Sequence, residues 1–253
     1  MIRRGLCSVA LRHLAVDEVV AVAASAGLAA IEWGADVHVP PADERAAEAA
    51  RTACASAGVA VASYGSYHRA GDDAPEDFDA VLATARWLGA PRIRIWAGGT
   101  PSAQAGPRQR AAVSEAARRA VERACESGIQ VALEYHGGTL TDDPGSTLAL
   151  LEAVDSLRTY WQPPQNLPDD AALGELRQVV PRLAALHVFS WWPGSERRPL
   201  EARADLWRRA FGLAGSLAED VDALLEFVPG DDGATVAREA RTMDQLLAAG
   251  ARA

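Results

Sequence analysis

The sequence predicts a single (β/α)8 barrel, and three observations carry that prediction. A short apolar run followed by a longer segment of helical period recurs eight times along the chain. Strands that alternate with helices imply a parallel sheet with right-handed crossovers. Eight such units fit within 253 residues, and no low-complexity linker or composition break divides residues 1–253 into more than one domain. An open doubly wound sheet is the alternative, but no G-x-G-x-x-G follows the first strand.

The elements read in order as follows. A strand over 5–9 precedes a helix over 17–26, with Asp17 suited to an N-cap and Gly27 to the stop. The second strand, 29–33, ends in Glu32-Trp33-Gly34-Ala35-Asp36-Val37-His38, and its helix, 43–57, stops at Gly58. The third, 59–64, opens into a loop Gly65-Ser66-Tyr67-His68-Arg69, and the next helix starts near Pro75 and stops before Gly89. Strand four is 92–96 and its helix 107–127. Strand five is the buried run that delivers Glu134 and His136 into Gly137-Gly138, followed by a helix over 145–154. Strand six, 157–161, leads through Gln162 to a helix over 170–180 that Pro181 ends. Strand seven, 183–189, precedes a helix over 203–214 that buries Leu206, Trp207, Ala210 and Phe211. Strand eight, 221–227, and a helix over 235–249 complete the set.

Composition excludes several function classes. A net charge of −9 argues against a nucleic-acid surface, which needs a basic footprint. No apolar run approaches the ~20 residues that span a membrane, and the N-terminus lacks a signal-peptide core, so a cytoplasmic protein with no membrane partner is expected. Cys7, Cys54 and Cys125 are too few and scattered for a disulfide framework and read as buried apolar residues. All 25 basic residues are arginine, which rules out Schiff-base chemistry and a phosphate-loop lysine. Chemistry falls to carboxylates, histidines and what they bind.

Polar and aromatic residues gather where the strands end, the face on which such barrels place their sites. Glu134, Gln162, His187 and Glu226 come from four successive strands. Two carboxylates, an imidazole and an amide oxygen make a mostly hard donor set, suited to a divalent metal, with Mn²⁺ favoured over Mg²⁺ or Co²⁺. A metal that grips a carbonyl and the neighbouring hydroxyl acidifies the C–H between them. Glu134 and Glu226 are then the catalytic pair, one removing a proton and the other returning it. Trp33, His38, Tyr67, His68, Trp96, His136, Gln165, Trp191 and Arg197 are the expected substrate contacts, their aromatic faces matching the C–H faces of a sugar ring. Taken singly, each has a plainer reading: a strand-end glutamate pairs with arginine, His187 is a satisfied core histidine, His13 is surface and Trp161 is core.

These residues resemble the xylose isomerase-like TIM-barrel family of sugar phosphate isomerases and epimerases. The resemblance covers essentially the whole chain and rests on Leu133-Glu134, Leu186-His187-Val188 and Leu225-Glu226-Phe227. Gly65-Ser66-Tyr67-His68, Leu88-Gly89-Ala90-Pro91 and Tyr160-Trp161-Gln162-Pro163 look like one branch of it. The resemblance implies that Glu134 and Glu226 are both ligands and the acid/base pair, and His187 a third ligand. Two positions depart from the family pattern. Gln162-Pro163-Pro164-Gln165 stands where Asp-x-x-His is common, and Pro193 stands where an arginine is common, with Arg197 and Arg198 following. The expected activity is isomerisation or epimerisation of a sugar or cyclitol through a metal-bound enediolate. Elimination of a β-leaving group from a keto-sugar or keto-glycoside is the alternative, and a barrel that serves as a non-catalytic partner subunit is a third. Trp191-Trp192-Pro193 suits either a site lining or the interface of a homo-oligomer.

Overall fold

The computed structural model describes residues 1–250. Eight parallel strands form the predicted closed barrel: β1 (Ile2–Cys7), β2 (Ala30–Gly34), β3 (Ala60–Arg69), β4 (Arg92–Trp96), β5 (Gln130–Leu133), β6 (Arg158–Trp161), β7 (Leu183–Val188) and β8 (Val221–Leu225). They lie in sequence order around the ring, and β8 closes on β1 with Gly5 opposite Leu224. Eight helices cover the outside: α1 (Val16–Ser25), α2 (Glu44–Ser56), α3 (Pro75–Leu88), α4 (Pro107–Cys125), α5 (Pro144–Ala153), α6 (Asp169–Val179), α7 (Ala204–Gly215) and α8 (Gly233–Gly250). Among the described residues no helix is long and apolar enough to cross a membrane.

Local chemistry sets the boundaries. Asp43 and Asp143 cap α2 and α5 by accepting from Ala46 N at 2.9 Å and Ser146 N at 3.0 Å. Gly27 and Gly58, with φ of 70° and 67°, end α1 and α2 in the left-handed conformation that a side chain resists. Asp17 is not the cap expected: α1 starts one residue earlier, and Glu18 reaches back to Ala15 N at 2.8 Å instead. α7 buries Leu206, Trp207, Ala210 and Phe211 as its spacing requires. Cys7 and Cys54 are buried, but Cys125, on the outer turn of α4, is exposed.

Three differences bear on the site. β1 starts earlier than expected and gives way to a 3-10 turn over Ser8–Leu11. β3 runs through Arg69, so the segment expected as a loop is strand. After β7 a two-stranded ribbon pairs Ser190–Trp191 with Arg197–Arg198.

The alternation of strand side chains explains what fills the barrel. One register of each strand faces the helices and carries the main core, including Ile31, Trp33, Ile93, Ile95, Leu133 and Leu186. The other faces inward and is built on small residues, Ala30, Ala62, Ala132 and Ala185, beside Cys7, Tyr160 and Leu224. That economy of volume leaves room for long polar chains. Low in the barrel Asp222 accepts from Arg3 Nε at 2.7 Å and from Arg92 Nη1 at 3.0 Å. One pleat further along, at i+2 on β4, comes Arg94; at i+4 comes Trp96.

Candidate metal and active site

The inward register delivers Glu32, Arg94, Glu134, Gln162, His187 and Glu226 to one place at the C-terminal ends of the strands. His187 is its centre and is fully buried. Its Nε2 donates to Glu32 Oε1 at 3.2 Å. Its Nδ1 looks the other way, at three oxygens: Gln162 Oε1 at 3.3 Å, Glu226 Oε2 at 3.5 Å and Glu134 Oε1 at 3.6 Å. The four side chains expected to act together are therefore brought together around a single nitrogen.

Their electrostatic settings differ. Glu134 Oε2 accepts from the Arg94 guanidinium and from Trp96 Nε1, so that oxygen is occupied twice. Burial would raise the Glu134 carboxyl, but Arg94, with His187, outweighs it and holds the group far below the usual carboxylate range. Glu32 is similar: burial opposes its charge, yet Arg94, His187 and Ser63 bring it down to about 2. Glu226 is the exception. Burial pushes it up to about 7, and its Oε2 has no hydrogen-bond partner among the described residues. His187 follows from its neighbours: burial lowers it, but Glu226, Glu32 and the other surrounding groups prevail and hold it well above its ordinary value.

The residues fit a divalent ion. The three carboxylates Glu32, Glu134 and Glu226 against the one guanidinium of Arg94 leave a buried excess of two negative charges when His187 is neutral, which one dication balances. The unpartnered Glu226 oxygen and the convergence on His187 Nδ1 are what such an ion would satisfy. Cys7, His187 and Glu226 also form a buried cluster whose ligand atoms lie within 4.8 Å of one another. That group shares two members with the oxygen-rich set. Burial drives the Cys7 thiol far above its ordinary value, which keeps it protonated, and a hard dication prefers the carboxylate and amide oxygens.

Above this floor opens a cavity of about 510 Å³. Tyr67, Trp96 and His136 line one side, with Trp96 stacked on His136 at 4.8 Å and edge-on to Tyr67 at 5.8 Å. Phe189, Trp191 and Phe227 line another, with centroids 5.0, 5.9 and 4.7 Å apart. Gln165 and Arg12 stand at the rim, Arg12 tied to Asp36 at 2.5 Å and to Tyr67 Oη at 3.1 Å.

Five expected substrate contacts thus line the cavity: Tyr67, Trp96, His136, Gln165 and Trp191. Four do not. Trp33 sits on the outward register of β2, next to the inward Glu32, and packs in the core. His38 is turned into the protein, with Nε2 3.1 Å from Leu14 O. Because β3 continues past Tyr67, His68 alternates outward, against Phe78 at 5.4 Å. Arg197 lies behind the aromatic side, paired with Asp231 and stacked on Phe227 at 5.1 Å. Sequence reasoning passed over Arg94 as a member of the site. The signal was available: an arginine mid-strand in Arg92-Ile93-Arg94-Ile95-Trp96 shares its face with Trp96 and must find buried carboxylates.

The sequence matches the family described as xylose isomerase-like TIM barrel over residues 20–188. The chain belongs to that family. No curated protein matches it significantly. Among solved structures, the probable 3-DHS dehydratase involved in petrobactin synthesis from Bacillus anthracis superposes with a TM-score of 0.75 at 18% identity, over 96% of this chain and 99% of that one. An L-ribulose 3-epimerase gives 0.71 at 17% identity, over 100% and 96%. A xylose isomerase-like TIM barrel protein from Mycobacterium smegmatis in complex with magnesium gives 0.68 at 17%, over 95% and 91%. At these identities the likeness establishes the shared barrel.

Proposed function

We propose that this xylose isomerase-like barrel is a divalent-metal-dependent enzyme, an isomerase that moves a proton on the carbon beside a carbonyl of a sugar or cyclitol. The observation that carries the reading is the ring of Gln162, Glu134 and Glu226 oxygens, 3.3–3.6 Å from His187 Nδ1. Glu134, Gln162, His187 and Glu226 would hold the ion, with Mn²⁺ the best match to the donor set. When bound, the ion supplies polarisation of a carbonyl and so acidifies the neighbouring C–H.

The two glutamates do not share the work equally. Glu134 is pinned by Arg94 and Trp96 and serves to hold and orient. Among the described residues Glu226 is pinned by no guanidinium or indole, so the carboxylate oxygen that the ion leaves free takes the proton. Transfer by one base on one face suits isomerisation through an enediolate, with Glu226 delivering the proton to the adjacent carbon. It suits less well an epimerisation that needs a second acid on the opposite face. The same single base also serves the second reading, elimination of a group β to the carbonyl, which the pinned Glu134 favours over epimerisation.

The test is solvent exchange. Mn²⁺-loaded protein incubated in D₂O with a panel of ketoses, inososes and keto-glycosides is expected to place deuterium beside the carbonyl of at least one substrate. Glu226→Gln is expected to lower that rate by ~10²-fold or more. No exchange with any substrate, or exchange that survives the substitution, contradicts the reading.

A further inference from the structure

The cavity is built for more than a sugar. Its volume of about 510 Å³ lies within the ~300–1,000 Å³ of pockets for drug-sized ligands, roomier than one six-carbon ring requires. Unlike the floor of Glu134, Gln162 and Glu226 and the rim of Arg12 and Gln165, one side of it offers no charged or amide side chain. The side formed by Phe189, Trp191 and Phe227 is a continuous aromatic surface contributed by β7, its ribbon and β8. The indole Nε1 of Trp191 is itself buried, and the guanidinium of Arg197 lies against these rings and is engaged by Asp231. A polyol placed there would bury hydroxyls without partners, which is costly. A flat apolar ring meets no such cost and gains edge or face contacts.

The backbone adds an independent observation. Phe227, directly after Glu226, is held at φ 49°, a left-handed conformation that a bulky residue resists and that glycine would adopt freely. A strained aromatic kept beside the base, with its ring on the cavity, marks a position where the side chain is needed.

We infer that the substrate carries two parts: a polyhydroxylated ring over the charged floor and an apolar, flat ring against Phe189, Trp191 and Phe227. This rests on the proposed proton transfer only for the identity of the first part. The substrate class is an aryl-substituted sugar or cyclitol; in the elimination reading Glu226 takes the proton beside the carbonyl, the β C–O bond to the aryl oxygen breaks, and the aryloxide leaves and is protonated to the phenol.

Binding of phenyl β-D-glucoside and methyl β-D-glucoside to the Mn²⁺-loaded protein, followed by ligand-observed NMR, tests the inference. The phenyl compound is expected to bind about tenfold more tightly. Trp191→Ala and Phe227→Gly are each expected to cut that preference several-fold while Mn²⁺ affinity stays unchanged. The glycine variant suits the φ at 227, so its fold is retained. Equal binding of the two glucosides, binding of neither, or a preference that survives both substitutions overturns the aryl subsite. A phenyl preference in a protein that shows no D₂O exchange supports the subsite and removes the proton-transfer reading instead.

Discussion

His187 has two nitrogens with different duties, and Glu32 decides which does what. By accepting from Nε2 at 3.2 Å, Glu32 fixes the ring's orientation and leaves Nδ1 facing the three oxygens, where it would ligate an ion once it has lost its proton. Glu32 is fixed in turn by Ser63 Oγ at 2.7 Å and by Arg94 Nε at 3.4 Å. Glu32→Gln keeps the shape and removes the charge, so Mn²⁺ affinity is expected to fall ~10–100-fold, measured by isothermal titration. An affinity within twofold of wild type would show that Glu32 merely packs. The pH dependence follows from the same cluster. Glu226, raised to about 7, and His187, also raised, bind protons that a metal must displace, so affinity is expected to rise with pH through neutrality.

At the scale of elements, β3 shows why a polar strand end is hard to read. Gly65-Ser66-Tyr67-His68-Arg69 carries the small and polar residues of a loop, yet it pairs on, with Gly65 beside Arg94 and Arg69 beside Trp96. What keeps it extended is tertiary: Ser66 Oγ donates to Arg94 O at 2.7 Å, and Arg69 N donates to Asp73 at 2.6 Å. A Cβ at Gly65 would stand 2.7 Å from Arg94 Nη2 and 2.9 Å from Glu32 Oε1. The arginine cannot yield cheaply, because it is buried between two carboxylates. Gly65→Ala is therefore expected to cost about 1–3 kcal/mol in urea unfolding and to weaken Mn²⁺ binding as well. A variant as stable as wild type would mean that Arg94 has slack. The barrel itself was readable because eight apolar runs with glycine stops repeat in register. Glu134, Gln162, His187 and Glu226 could be grouped because each stands at the same end of its strand, whereas Glu32 at His187 Nε2 was not expected among them. Arg94 was overlooked although the two-residue period puts it on the face of Trp96, because only the closed barrel sets it against Glu32 and Glu134. Trp33, His38 and His68 misled because proximity to a strand end does not say which face a side chain takes.

For the molecule as a whole, charge is spent inside as well as outside. Among 34 acidic residues, Glu32, Glu134, Glu226, Asp222 and Glu239 are buried, and each requires a partner from the chain or from solution. Two buried histidines away from the site contribute to the loss of stability just below neutrality. Burial lowers both His38 and His68, Asp73 notwithstanding for the latter. A depressed folded-state value means that unfolding takes up protons. Their contribution is thus complete above the unfolded value of ~6.5 and is lost as pH falls through it toward the lower folded value. The stability difference between wild type and His68→Gln is expected to shrink between about pH 7 and pH 5 in chemical unfolding. A flat difference would show that the fold does not lower His68, and one that grows would show that the fold favours its charged form.

Glu134, Gln162 and Glu226, gathered about His187 Nδ1, are expected to hold one divalent ion together with that nitrogen, and metal content shows whether they do. Protein reloaded with Mn²⁺ and dialysed to equilibrium is to be assayed by elemental analysis, wild type beside Glu226→Gln and Gln162→Leu. About one Mn²⁺ per chain in the wild type, with clear loss in both variants, is the predicted result. No bound metal in the wild type, or occupancy that neither substitution changes, would contradict it.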